Sequence, residues 1–365
     1  MQIQTKGMKA GLFLFIFLLS LVTCDFGQTN ASPSGTSAHP RLIQESAYTA
    51  IRMISNNLTK EELPALRAKA EAGDVQAQVT LGMAYQQGCP GATHDPTEAL
   101  KWYHMAAAHG NSIAANQIAI FYDPAEHFSG LRGQDVTQAI AWYRKAAELG
   151  DVVGQYDLAE TLHQTGRDSE AVKAYRKAIE NGSSLAAVGL VELYDQGKVV
   201  PNKSQHENWK AGVEYFQSLA DQGNPGAEYV MAQGYREGWL GLHRDPKRGF
   251  DFYMKAAEQG WPRAILAVGD CYFKGIGVKK DKAEAVRWLQ KAADQSDPIG
   301  ETYMAWIYEN GDGAPQDLVT AYTWFLVARN DGKAIEFKHH LSADEIAEAE
   351  KRVHQIAMKR GVVFY

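Results

Sequence analysis

The sequence predicts an all-α protein, a right-handed α/α solenoid of about seven helix-turn-helix repeats. Composition first excludes other classes: 365 residues with 45% hydrophobic and 10% aromatic side chains are too apolar for a disordered chain. Boundary residues then recur every 32 to 41 positions, and two helical patterns follow each other between them. Because one helix pair cannot bury its apolar face alone, successive pairs must stack.

The first helix of each repeat follows a boundary residue. A small side chain stands four residues after the boundary, a large apolar one eight after it and usually a tyrosine twelve after it, as in Ala77, Leu81 and Tyr85. Steps of four keep side chains on one face of a helix, so this stripe predicts a helix that buries that face. The boundary residues are Gly73, Gly110, Gly150, Gly182, Gly223, Gly260, Ser296 and Gly332.

The second helix of each repeat is placed by counting backward from the closing boundary. In the first repeat Ala99 precedes the aromatic pair Trp102-Tyr103 and the small pair Ala106-Ala107. Small residues let paired helices approach closely, and the closing glycine can take the left-handed conformation that ends a helix. The predicted N-caps of these helices are Asp95, Asp135, Asp168, Asn208, Asp245, Asp281 and Asp317.

The repeat is similar to one that is already known. The motif Leu-Gly-x-x-Tyr at 81–85, followed by Asp-x-x-x-Ala-x-x-Trp-Tyr-x-x-Ala-Ala-x-x-Gly at 95–110, resembles the Sel-one-like repeat (SLR), a relative of the tetratricopeptide repeat. The resemblance covers about residues 73–332, although the third repeat has a short loop and no tryptophan. It implies a protein-interaction scaffold, since relatives act as adaptors in signalling, envelope assembly and host-cell interaction.

Two flanking segments are expected to cap the repeats. Residues 42–72 carry a helical apolar pattern and are predicted to form an N-terminal helical cap. Residues 333–365 are predicted to form a C-terminal capping helix, which opens with the capping box Ser342-Ala-Asp-Glu345. Terminal units of a repeat array need polar outer faces, which these flanks supply.

The first 23 residues predict a secretory signal peptide. Lys6 and Lys9 precede an uncharged apolar run at 10–22. That run would make roughly 20 Å of helix, short of the ~30 Å hydrocarbon core of a bilayer. A basic start followed by a short apolar core is typical of an export signal. A buried helix or a membrane anchor is the alternative.

The end of this run suggests a lipid anchor. Leu21-Val22-Thr23-Cys24 resembles a bacterial lipobox, in which the cysteine is lipidated, although Thr23 departs from the small residue preferred there. Ordinary cleavage, for instance behind Ala31, is the alternative. In either case the polar residues 24–41 predict a flexible tether. The expected location is the periplasm or a membrane, as a lipoprotein on Cys24, with secretion as the alternative.

Motifs that could carry chemistry are explained by the repeat. The glycine pairs at 275–277 and 311–313 fall in inter-helix turns and lack the Lys-Ser/Thr of a phosphate loop. The eleven histidines show no metal-ligand spacing, and no Ser-x-x-Lys nucleophile motif follows the signal segment. A net charge of −6 without a Lys/Arg cluster argues against a nucleic-acid partner. We predict no enzyme, no catalytic residue, no cofactor and no metal.

The predicted function is therefore a non-catalytic protein–protein interaction scaffold of the bacterial envelope. Its partners would be other proteins, of the envelope or of a host, with membrane contact only through the N-terminal lipid. A β-lactamase-like hydrolase and a regulator of a membrane sensor or secretion complex are the alternatives. Large side chains that the repeat leaves unexplained are candidate partner contacts, with packing between repeats as the other interpretation. They are Tyr229, Arg236, Trp239, Trp261 and Trp306.

Overall fold

The computed structural model describes residues 51, 55, 58–89, 91–125 and 135–360. Within these ranges the regular elements are 17 α-helices and one 3₁₀ helix, with no β-strand. They fall into two compact units, an N-terminal unit up to Ala256 and a C-terminal unit from Ala257. The predicted signal peptide at 1–23, the predicted lipid on Cys24 and the predicted tether at 24–41 concern residues outside the described ranges.

The N-terminal unit consists of paired helices, and α11 contains the division between the units. Its helices are α1 Leu63–Glu71, α2 Val75–Gln87, α3 Pro96–Ala108, α4 Ser112–Tyr122, α5 Val136–Glu148, α6 Val152–Gln164, α7 Asp168–Glu180, α8 Ser184–Asp195, α9 Gln205–Asp221, α10 Pro225–Glu237 and α11 Pro246–Glu258. From α1 to α10 each helix packs against the next one in the chain. The first helices of successive repeats, α4, α6, α8 and α10, also contact each other in series.

The C-terminal unit continues the same arrangement. Its helices are α12 Pro262–Lys274, α13 Lys282–Asp294, α14 Pro298–Asn310, α15 Leu318–Val327, α16 Asp331–Lys338 and α17 Ala343–Lys359. Consecutive helices pack from α12 to α16, and α17 also packs on α15. The predicted all-α solenoid of helix pairs is confirmed.

The predicted stripes form the core of both units. Leu81 and Tyr103 in the N-terminal unit and Met304 and Phe325 in the C-terminal unit are fully or almost fully buried. The glycine of the Leu-Gly motif is required by close helix approach: a Cβ on Gly82 would lie 2.7 Å from the ring of Tyr103. Small residues in this register therefore set the spacing within a helix pair.

Helix ends follow simple hydrogen-bonding rules. The second helices are capped as predicted at Asp95, Asp135, Asp281 and Asp317, whose carboxylates accept backbone N–H groups. First helices carry caps too, directly after the boundary residue. Those caps are Asp74, Asn111, Asp151, Ser183, Asn224 and Asp297.

Three local predictions are wrong. Asn208 is not an N-cap, because Ser204 forms a capping box with Glu207 and α9 starts four residues earlier. Asp168 lies in the first turn of α7 and does not cap it. Gly332 does not close the seventh repeat, since it lies inside α16 and Arg329 takes the left-handed conformation after α15, with φ 52°.

The predicted C-terminal cap contains two helices rather than one. The short α16 begins at Asp331, two residues before the expected boundary. The following α17 begins with the predicted capping box, in which Ser342 and Glu345 exchange hydrogen bonds, and ends at Lys359. Of the helices in the described ranges, none combines the length and the apolar character needed to cross a bilayer.

Candidate functional site

The C-terminal unit carries a groove of about 330 Å³. We call it the aromatic groove. Its walls come from the end of α12, the second half of α14, the turn after α14 and the start of α16. The lining residues are Phe273, Tyr303, Trp306, Ile307, Glu309, Asn310, Asp312 and Lys333.

Three aromatic rings are arranged in sequence along this groove. The ring centroids of Phe273 and Tyr303 are 6.0 Å apart with an interplanar angle of 64°, and those of Tyr303 and Trp306 are 6.0 Å apart at 74°. Such edge-to-face contacts are favoured by the ring quadrupoles. The Tyr303 hydroxyl donates to Asp270 Oδ1 at 2.8 Å, which fixes the middle ring.

Trp306 is the exposed end of this series. The neighbours Met304 and Ile307 face the core, which turns Trp306 toward solvent, and 46% of its surface is accessible. Isolated exposed apolar residues are common, but a large indole beside two further rings is typical of a contact surface. The groove therefore presents an apolar surface on α14.

The charged groups of the groove differ in how they are paired. Asp312 pairs with Lys282, whose ammonium also lies 5.8 Å from the Phe273 ring centroid. Lys333 Nζ lies 3.1 Å from Glu336 Oε2, and this contact raises the pKa of Lys333. The carboxylate of Glu309 makes no hydrogen bond or ion pair with any described residue.

The predicted partner contacts of the N-terminal unit are held by internal bonds. Tyr229 in α10 is 8% exposed and accepts a hydrogen bond from Gln233 Nε2 at 2.8 Å. Arg236 Nε lies 3.0 Å from Glu237 Oε1. Trp239 begins the 3₁₀ helix Trp239–Gly241 and is half-buried. Packing inside the protein therefore explains the large side chain of Tyr229 in particular.

The other two predicted contacts lie in the C-terminal unit. Trp261 is the N-cap residue of α12 and is 8% exposed, so packing explains this side chain as well. Trp306 is the most exposed of the five residues. That these residues bind a partner stays a prediction, and Trp306 is the member placed to do so.

Sequence reasoning missed the other members of the groove, in particular Phe273, Tyr303 and Glu309. A signal existed: Tyr303 and Trp306 stand seven and ten residues after their boundary, away from the buried stripe at four, eight and twelve. An i, i+3 aromatic pair on the opposite helix face indicates a surface feature. Among the described residues, no group of three or more His, Cys, Asp or Glu side chains could hold a metal ion.

Curated relatives match part of the chain and are themselves much longer. The ERAD-associated E3 ubiquitin-protein ligase component HRD3A of Arabidopsis thaliana is 25% identical over 253 residues, covering 68% of this chain and 31% of the relative. The chitin synthase regulator SKT5 of Saccharomyces cerevisiae is 23% identical over 63% of this chain and 34% of its own. The chain thus spans about a third of the length of these relatives.

Solved structures are also similar. A Sel1 repeat protein of Oxalobacter formigenes has a TM-score of 0.48 and 24% identity, with 87% of this chain and 98% of that chain covered. A protective antigen of uropathogenic Escherichia coli with an SLR fold has a TM-score of 0.40 and 24% identity, with coverage of 88% and 79%.

The family model of the Sel1 repeat matches the chain seven times in succession. The matches fall at residues 75–111, 112–151, 152–183, 182–224, 225–261, 262–297 and 298–336. Their helix pairs are those of the described structure, and together they cover well over half of the sequence. The chain therefore belongs to the Sel1 repeat family.

Proposed function

We propose that this protein is a non-catalytic interaction scaffold of a bacterial cell envelope, and that the aromatic groove is where it holds a partner protein. The observation that carries the proposal is the exposed indole of Trp306 at the end of three packed rings. Tryptophan and tyrosine dominate the binding energy of protein interfaces when they fill or form pockets. Sel1 repeat proteins are typically scaffolds for protein interaction.

The distribution of exposed apolar side chains also supports the C-terminal unit as the place where a partner binds. Among the described residues, five of the six large exposed hydrophobic side chains lie in the C-terminal unit, and Leu149 is the one in the N-terminal unit. A concentration of exposed apolar surface marks an interaction site more often than a uniform scatter does. The five are Ile299, Trp306, Leu318, Ile335 and Met358.

The relatives support a role in assembly with other proteins. One is a component of a ubiquitin-protein ligase and another is a regulator of chitin synthase. Both names describe proteins that act through a second protein. By analogy, this chain would position or regulate a partner rather than convert a substrate, and it spans about a third of the length of those relatives.

The scaffold is tested by recovering partners from native cells. The intact chain, Trp306→Ala and Leu149→Ala would be purified after mild crosslinking, and the bound proteins quantified by mass spectrometry. Leu149 is the matched control, since it is 42% exposed but lies in the other unit. A partner lost with Trp306→Ala and kept with Leu149→Ala supports the proposal. A set of bound proteins unchanged by Trp306→Ala contradicts it.

The envelope location rests on the N-terminal sequence alone. We propose that residues 1–23 direct export and that Cys24 carries a lipid. Mass spectrometry of the mature protein from native membranes would detect a diacylated or triacylated N-terminal Cys24. A soluble mature chain that starts near Ser32 would exclude the lipid anchor, and an intact Met1 in the cytosol would exclude export.

A further inference from the structure

Several aromatic rings of this protein, buried or partly exposed, lie against the protein's own cations. Lys145 Nζ lies 4.7 Å from the ring centroid of Trp142, and Lys291 Nζ lies 4.9 Å from that of Trp288. Further pairs of this kind are Lys101 with Trp102, Lys255 with Phe252, Arg248 with Tyr235 and Arg176 with Tyr215. A cation over a ring face is attracted by the ring quadrupole.

Trp306 departs from this pattern. The lysines over Trp142 and Trp288 stand three residues after the tryptophan, whereas Glu309 stands three residues after Trp306. No cation of the described residues lies over the Trp306 ring, although nearly half of the side chain is exposed. The spacing that supplies a cation elsewhere supplies a carboxylate here.

The neighbouring charges leave this carboxylate available. Glu309 is half-buried in the groove wall, and its carboxylate makes no hydrogen bond or close ion pair with a described residue, although the Lys333 ammonium attracts it across the groove. Lys333 also lines the groove, but Glu336 binds its ammonium at 3.1 Å. Asp312 is paired with Lys282. An exposed indole beside a carboxylate that makes no hydrogen bond is complementary to a planar cation.

We propose that the aromatic groove takes an arginine side chain from an extended segment of a partner protein. The guanidinium stacks on Trp306 and pairs with the carboxylate of Glu309, while apolar neighbours of the arginine pack on Tyr303. Arginine fits better than lysine, because its flat guanidinium can stack on a ring and donate two parallel hydrogen bonds. A volume of about 330 Å³ is enough for one such side chain. This inference rests on the proposed function and adds the chemistry of the partner.

The test uses capped pentapeptides and the full chain labelled with 5-fluorotryptophan. In each peptide the central residue is flanked by valines and is arginine, lysine or citrulline. Citrulline keeps the shape of arginine without its charge. The ¹⁹F resonance of Trp306 is assigned by its loss in Trp306→Phe. Titration with the arginine peptide should shift this resonance, the lysine peptide should bind more weakly, and the citrulline peptide should bind at least about ten-fold more weakly.

Two carboxylate variants separate a specific pairing from general charge. Glu309→Gln should weaken the arginine peptide about ten-fold. Glu350→Gln removes the same charge from the exposed face of α17 in the same unit and should leave the affinity unchanged. Far-ultraviolet circular dichroism would verify that both variants keep their helical content.

Several results would overturn the proposal. Equal binding of arginine and citrulline peptides would make the groove an apolar site only. If Glu309→Gln and Glu350→Gln weaken peptide binding equally, the protein's net charge alone explains the affinity. If no peptide shifts the Trp306 resonance, the groove does not bind arginine. If Trp306→Ala nevertheless loses the native partner, the scaffold proposal stands and only the proposal of an arginine ligand is contradicted. If Trp306→Ala keeps every partner, the scaffold proposal fails by itself.

Discussion

The same helix position serves opposite purposes in different repeats. Ten residues after the boundary, α6 and α8 of the N-terminal unit carry Glu160 and Glu192, whereas α14 of the C-terminal unit carries Trp306. Glu160 accepts a hydrogen bond from the buried Tyr175 hydroxyl and so serves the fold. Trp306 packs against Tyr303 and otherwise faces solvent. The repeat constrains its buried stripe and leaves this position open to function.

A second difference between repeats concerns a carbonyl near the end of the preceding helix. In the N-terminal unit, Gln78 Nε2 donates to the Ala70 carbonyl at 3.0 Å, and Gln155 Nε2 donates to that of Ala147 at 3.2 Å. The equivalent residue of the seventh repeat is Glu301, which cannot donate when ionised.

An arginine from the end of the chain replaces that donor. Arg360 Nη2 donates to the Ala293 carbonyl, and Arg360 Nη1 lies 2.7 Å from Glu301 Oε1. Both side chains are largely buried. In the seventh repeat an ion pair thus replaces the internal glutamine. It connects Arg360, the residue after α17, to α13 and α14.

The largest expected effect tests the buried core position that the two units share. Phe216 and Phe325 occupy the same position of the second helix in different units, and both are fully buried. Phe216→Ala and Phe325→Ala should each lower the free energy of unfolding by about 3–5 kcal/mol, through lost burial and a cavity. Urea denaturation followed by circular dichroism measures this. A loss under about 1 kcal/mol in either unit would break the equivalence of the repeats.

Arg360→Ala should have the next largest effect. Removing the guanidinium leaves Glu301 and the Ala293 carbonyl buried without this donor, which should cost about 3 kcal/mol at pH 8. Arg287→Ala is the matched control, because Arg287 pairs with Glu284 on the surface and should cost about 1 kcal/mol or less. Equal losses from both arginines would show that the ion pair does not hold the end of the chain.

The pH dependence of stability provides a smaller, signed effect. Burial raises the pKa of Glu301 to about 7, against the opposing influence of Arg360. A carboxyl whose pKa is higher in the folded than in the unfolded state stabilises the fold fully below pH 4.5. That contribution is lost as the pH rises through 7, and amounts to about 3 kcal/mol.

Glu301→Gln isolates this contribution. Because Gln78 and Gln155 already occupy the equivalent position, the amide should fit and reach the Ala293 carbonyl. Denaturation midpoints measured from pH 5 to pH 8 should fall less steeply for this variant than for the natural protein. Parallel curves for the two proteins would mean that Glu301 does not titrate in this range.

Trp306→Ala should have the smallest effect on stability. Because the ring is nearly half exposed, its loss should change the free energy of unfolding by roughly 0.5–1 kcal/mol, while partner binding is lost. Thermal denaturation beside the binding measurement checks both. A loss as large as that of Phe325→Ala would make Trp306 a core residue and remove the contrast between the repeats.

The sequence predicted most of the fold because its patterns are local. Stripes at steps of four and the caps before second helices report which face a helix buries and where it starts. The caps of six first helices were missed although each directly follows a boundary, as Asp74 does. Gly332 and Asn208 were misplaced because a glycine or an asparagine also occurs inside helices, where neighbouring packing decides its role.

The aromatic groove could be predicted only in part. Trp306 was identified because it does not fit the stripe, but Phe273 and Lys333 come from other helices. These residues lie together only because of how α12, α14 and α16 pack. The spacing of residues in a single sequence does not report that packing. Tyr229 and Trp261 were selected by the same reasoning as Trp306, and their burial could not be read from their sequence positions.

Site-specific photocrosslinking in living cells tests the role of the groove most directly. A photoreactive residue would replace Trp306 in one variant and Leu149 in another, both exposed positions on different units. If the C-terminal unit holds the partner, the variant at 306 yields a discrete crosslinked protein and the variant at 149 does not. Crosslinking of one partner at 149, with none at 306, would contradict the assignment of binding to the aromatic groove.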